Sequence, residues 1–97
     1  MRREEAIKRL AEHLSELRDL YDVAELSIFG SVARDQAGVD SDLDLLVDFA
    51  TPPGLFRYIE LKDHLEDLLG VPIDLVTRNA LKQQLRETIL QEAIRVH

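Results

Sequence analysis

Residues 28–47 read IFGSVARDQAGVDSDLDLLV. An apolar strand, Ala24 to Phe29, runs into Gly30-Ser31. Gly lets a backbone approach a ligand closely, and a turn opening a helix presents free N–H groups to an anion. The plainer reading of Gly30-Ser31 is a tight turn with Ser31 as helix N-cap. A short helix is expected over Ser31 to Ala37, ended by Gly38 in the left-handed conformation. A second strand then covers Leu43 to Phe49, where Leu45, Leu46 and Val47 are too apolar for exposure on both faces.

Outward from this stretch the pattern alternates. Ile7, Leu10, Leu14, Leu17 and Tyr21 recur at spacings of three and four, which predicts a helix over Arg3 to Tyr21. Thr51-Pro52-Pro53-Gly54 is a loop. A helix over Leu55 to Leu69 follows, with Leu55, Phe56, Ile59, Leu65, Leu68 and Leu69 as its candidate core, and Gly70 stops it. Val71 to Val76 is a third strand, and Asn79 to Val96 is helical, in one piece or two, with Leu81, Leu85, Ile89, Ala93 and Val96 along one side. The order α-β-α-β-α-β-α describes an α+β fold with α/β-like alternation, in which helices flank a mixed sheet of about three strands. No linker divides residues 1–97, so one domain is expected.

Composition narrows the function. With 97 residues, 45 % of them apolar and 32 % charged, the chain is globular rather than disordered. It has no cysteine, which removes disulfides, thiolate metal sites and cysteine catalysis. No apolar run is long enough for a membrane span. Met1-Arg2-Arg3-Glu4-Glu5 lacks the apolar stretch of a secretory signal, so a cytoplasmic protein is expected. Net charge is −7, and eight acidic but only two basic side chains fall between residues 21 and 60. Such a surface argues against direct binding of duplex DNA, which relies on Lys and Arg neutralising phosphates. It admits a nucleotide if divalent cations stand between carboxylates and phosphates.

Two features supply such carboxylates. Asp42 and Asp44 lie two apart at a strand start and so share a face, about 6.5–7 Å between Cα atoms. They repel unless a cation lies between them, and hard oxygen ligands suit Mg²⁺ or Mn²⁺. A pair of solvated acids capped by Ser41 is the alternative. Asp74 interrupts the apolar strand Val71 to Val76, where an unpaired carboxylate is costly to bury; an edge position facing water is the alternative there. Asp48 shares the Asp42/Asp44 face but reads as strand-end solubility. The basic set Arg78, Lys82, Arg86 and Arg95 reads as a solvated helix face, with docking of an acidic partner or a nucleic acid as the alternative. Tyr21 and Tyr58 read as packing residues.

Taken together, Gly30-Ser31, then Ser41-Asp42-x-Asp44 after a short helix, then a lone Asp in a third strand resembles the DNA polymerase beta-like nucleotidyltransferase superfamily. The shorter pattern GS-x-AR…SD-x-DLLV resembles its minimal nucleotidyltransferases, over about residues 24–80. The resemblance implies that Gly30, Ser31, Arg34 and Ser41 meet the triphosphate. It implies that Asp42, Asp44 and Asp74 are catalytic and hold two Mg²⁺ ions, with Mn²⁺ as a substitute. A surface role is the alternative for Arg34. One departure is visible: many relatives have Gly after that Arg, and this chain has Asp35.

The resemblance further implies transfer of AMP from ATP to a hydroxyl by a two-metal mechanism. Minimal nucleotidyltransferases commonly pair with a HEPN-type ribonuclease toxin. They modify a tyrosine of the toxin and act as its antitoxin, which makes them protein adenylyltransferases. A non-catalytic antitoxin that neutralises the toxin by complex formation is the alternative. Larger relatives carry a second domain to grip their substrate, so a homo- or hetero-oligomer would complete the cleft here.

Overall fold

The computed structural model describes residues 1–38, 42–81 and 83–97. The first helix, α1 (Arg3–Tyr21), has the expected bounds and buries Ala6, Leu10, Leu14 and Leu17. Asp22 ends it at φ 56°, a left-handed position that Asp tolerates. The first strand, β1 (Val23–Phe29), carries a bulge between Val23 and Glu25. The extra residue resets the alternation, so Val23, Leu26 and Ile28 all face the core.

The second helix, α2 (Gly30–Ala33), is shorter than expected. The chain turns away at Asp35, at φ 60°. The Gln36 N–H bonds the Ser31 carbonyl at 2.8 Å and the Asp35 N–H bonds that of Val32 at 3.0 Å. This is a Schellman closure with Asp35 in the left-handed place, so Asp35, not Gly38, ends the helix. Phe29 is the N-cap and no side chain caps α2, which sets aside the reading of Ser31 as N-cap.

Strand β2 (Leu43–Phe49) and helix α3 (Leu55–Leu69) match their expected bounds, and Gly70 closes α3 at φ 69°. The α3 core differs from the expectation. Leu61, Leu65 and Leu69 are buried, whereas Leu55, Phe56 and Ile59 are exposed. Phe56 lies about two and a half turns from Leu65 and so points the opposite way. Tyr58 takes a place on the inner side instead, packed against the core.

Strand β3 (Ile73–Thr77) leads through a 3₁₀ turn, Arg78–Ala80, to α4 (Gln83–Glu92) and β4 (Ile94–Arg95). The expected helix to Val96 therefore stops at Glu92. Among described residues α4 buries none, and Leu85 is exposed. Val96 is buried through β4, not through a helical stripe.

Among the described residues the sheet has four strands in the order β3-β2-β1-β4. β1 is antiparallel to β2 and β4, and β2 is parallel to β3, so the sheet is mixed as expected and one strand larger. Leu43, Leu45, Val47, Ile73 and Leu75 face the α1/α3 layer and form the core. By alternation, Asp44, Leu46 and Asp48 of β2 and Asp74 of β3 face the other side. Two α3 side chains close the free edge of β3. Glu66 accepts from the Ile73 N–H at 3.1 Å, and the Tyr58 hydroxyl donates to the Leu75 carbonyl. A capped edge offers no template for strand pairing.

Candidate active site

Three chain segments meet at Asp44. On one side β3 lies in register, placing Asp74 directly opposite Asp44. On the other side Phe29 of β1 is its partner, and Gly30 follows immediately. Neighbouring strands are about 4.8 Å apart, so Asp44 and Asp74 are adjacent carboxylates on one sheet face.

Gly30 has φ +72°, and a Cβ built there would lie 2.1 Å from Asp44 Oδ2. Both the left-handed backbone and the pressing carboxylate therefore require glycine. The turn and the first acid are one packed unit.

Asp44 is half-buried, and its pKa is raised from 3.8 to about 6. Burial contributes most, then the charge of Asp74, a hydrogen bond with Asp74 and the charge of Asp42; Arg34 acts weakly in the opposite direction. Negative charge is thus in excess around this carboxyl. Asp42 stands just ahead of β2 and is exposed, as is Asp74. Among the described residues, no three metal-binding side chains already stand as a cluster for one ion. The structure brings Asp44 and Asp74 together and leaves Asp42 acting on Asp44 by its charge. As a donor set these hard oxygens with uncompensated charge fit a divalent cation.

Ser31 and Arg34 lie on and just beyond α2, at the same end of the sheet as Asp44. Ser41 lies outside the described residues. The sequence gives no sign of Glu92, which reaches this turn from α4. Gly30 donates its N–H to Glu92 Oε1 at 3.1 Å.

Asp48 lies at the far end of the same face. Its Oδ2 is 3.1 Å from Arg78 Nε. Arg78 and Arg95 also approach Glu25, at 3.8 and 3.4 Å. Two members of the basic C-terminal set are therefore ion-paired within the chain. Two cavities, of about 320 and 270 Å³, are lined at Met1, Val32 and Asp35 and at Asp48, Pro52 and Arg78. Neither of these two is lined by Asp44 or Asp74; Asp42 and Asp74 are exposed and Asp44 is half-buried. Among the described residues no helix is long and apolar enough to cross a membrane.

Comparison with known proteins gives a consistent result. The nucleotidyltransferase domain family matches residues 7–96. The chain is 44 % identical over 93 residues to the protein adenylyltransferase MntA of Thermococcus cleftensis, covering 96 % of this chain and 94 % of that one. A solved structure described as a minimal nucleotidyltransferase superposes with TM-score 0.80 at 41 % identity, covering 97 % of this chain and 95 % of the other. A tri-AMPylated HEPN toxin with its MNT antitoxin from Shewanella oneidensis shares the fold, with TM-score 0.69 at 17 % identity, over 98 % of this chain and 71 % of that one.

Proposed function

The chain belongs to the nucleotidyltransferase domain family, and from that premise we propose that it moves AMP from ATP to a tyrosine hydroxyl of a HEPN-type toxin, acting as the antitoxin. The supporting observation is the position of Asp44, in register with Asp74 and packed on Gly30. Two acids beside the Gly30–Ser31 turn support this reading.

In this reading the Ser31 hydroxyl and backbone, Arg34 and Ser41 receive the triphosphate. Asp42, Asp44 and Asp74 hold divalent cations, two Mg²⁺ ions with Mn²⁺ as a substitute. When bound, such ions offset the charge of the phosphates and acidify the acceptor hydroxyl. The tyrosine oxygen bonds to the α-phosphorus as the bridging α–β P–O bond breaks, and pyrophosphate leaves. Asp74, exposed at the sheet edge, takes the phenolic proton on its carboxylate. Most of the rate gain is positioning and charge complementarity. The open site supports a macromolecular acceptor, because a second chain must supply the missing wall and exclude water. The relative MntA is itself a protein adenylyltransferase, and the fold recurs in an antitoxin held by a modified HEPN toxin.

The test incubates the chain with a purified HEPN partner, Mg²⁺ and ATP labelled at the α-phosphate. Label on a partner tyrosine, lost with Asp44→Asn, is the expected result. A stable complex that carries no label, with the toxin nevertheless inhibited, would move the assignment to neutralisation by binding alone.

A further inference from the structure

Glu92 ends α4 and lies far in sequence from the Gly30–Ser31 turn, yet its carboxylate bonds both the Gly30 amide and Arg34. Its Oε1 accepts from the Gly30 N–H at 3.1 Å. Both its oxygens accept from Arg34 Nη1, at 3.2 and 3.0 Å. The side chain is only 21 % exposed, against 47 % for Arg34.

The position follows from the sheet. β4 pairs with the end of β1: the Val96 N–H donates to the Leu26 carbonyl, and Ile94 stands opposite Ile28. In an antiparallel ladder alternate residues turn their polar groups to the same neighbour. Gly30 is next in the series Leu26, Ile28, Gly30, but the chain opposite has already left the sheet for α4. The Glu92 side chain takes the vacated place. It satisfies the Gly30 N–H sideways, leaving the following amides of the turn free of it.

We propose that Glu92 is a positioning residue for nucleotidyl transfer. It locks the Gly30–Ser31 turn against Asp44 and presents Arg34 to the incoming phosphates. Arg34 is held at two of its three nitrogens: Nη1 meets Glu92 and Nε meets Gln36 at 3.2 Å, while Nη2 has no partner among the described residues. An arginine held by part of its fork keeps a directed donor for phosphate. The C-terminal segment thereby becomes part of the active site, although it contributes no group that touches the reacting atoms. The inference rests on the transferase reading above.

The experiment compares Glu92→Ala, Glu92→Gln, Arg34→Ala and the double variant Arg34→Ala/Glu92→Ala in the full chain with its partner. KM for ATP and kcat are measured, and each variant's fold is checked by thermal melting. Glu92→Ala is expected to raise KM about tenfold with a smaller change in kcat. Glu92→Gln, which keeps an acceptor for Gly30 but loses the charge facing Arg34, is expected to raise it about threefold and guards against a misfolded alanine variant. The double variant should lose less than the product of the two single losses, because Glu92 acts in part through Arg34. A folded variant with unchanged KM, or fully additive losses, overturns the proposal. So does a lowered KM, which would make Glu92 a competing anion in the phosphate seat. If wild-type protein transfers no label, the transferase reading fails separately. Equilibrium affinity for Mg²⁺-ATP then decides for Glu92, with equal affinity of wild type and Glu92→Gln counting against it.

Discussion

The two ends of one sheet face carry the same kinds of residue and treat them differently. At the far end, Asp48 and Glu25 are matched by Arg78 and Arg95. At the near end, Asp44 and Asp74 stand side by side with the charge of Asp42 acting on Asp44, and Arg34 beside them is engaged by Glu92. One end is neutralised within the chain; the other keeps negative charge, which in the proposed reading a bound cation offsets. Folding alone does not explain the near end, because close like charges cost stability. The proposed ligand site would account for it.

The strongest test of this contrast is Asp44→Asn. Transfer is expected to fall at least about a hundredfold, while metal-free protein becomes more stable. The sign follows from the raised pKa. Below pH 3.8 the carboxyl is protonated in both folded and unfolded chains and costs nothing. Between 3.8 and about 6 the unfolded chain ionises first, and the penalty on the fold grows until it levels off above about 6. Wild type should therefore lose about 1 kcal/mol relative to Asp44→Asn between pH 4 and pH 7, allowing for solvent screening. Urea melts at the two pH values check it. Added Mg²⁺ should stabilise the wild type at pH 7 and leave the variant unmoved; a wild type indifferent to Mg²⁺ and pH would remove the contrast.

Gly30→Ala sharpens the comparison from the backbone side. Left-handed strain and the clash with Asp44 Oδ2 should cost about 2 kcal/mol or more. Gly54→Ala, with nothing within 4 Å of the new Cβ, should cost little. Denaturant midpoints separate the two.

The smallest effect is expected at the far end. Asp48→Asn should change stability by less than about 1 kcal/mol, increasingly little as salt is added, and leave transfer intact. Loss of transfer in that variant would show that the active surface extends along the whole face.

Much of the architecture was legible where a period persists. The bounds of α1, β2 and α3 could be read because each presents several turns or alternations to a single core, and Asp42-x-Asp44 stood out because its spacing has a chemical meaning. The misreadings arose where the local signal is short or ambiguous. Leu55, Phe56 and Ile59 looked like core because apolar residues surround the true face on both sides. Ile94-Arg95-Val96 passed for a last helical turn, since an apolar–polar–apolar triplet fits either period.

The sequence by itself determined the order of helices and strands up to β3, the glycine turn and the three acids, because backbone preference and hydrophobic period act between near neighbours. Tertiary structure decided that Asp44 meets Asp74, that β4 completes the sheet and that Glu92 reaches Gly30. Those are encounters between distant segments, fixed by which strand edge is left unpaired once the core has closed.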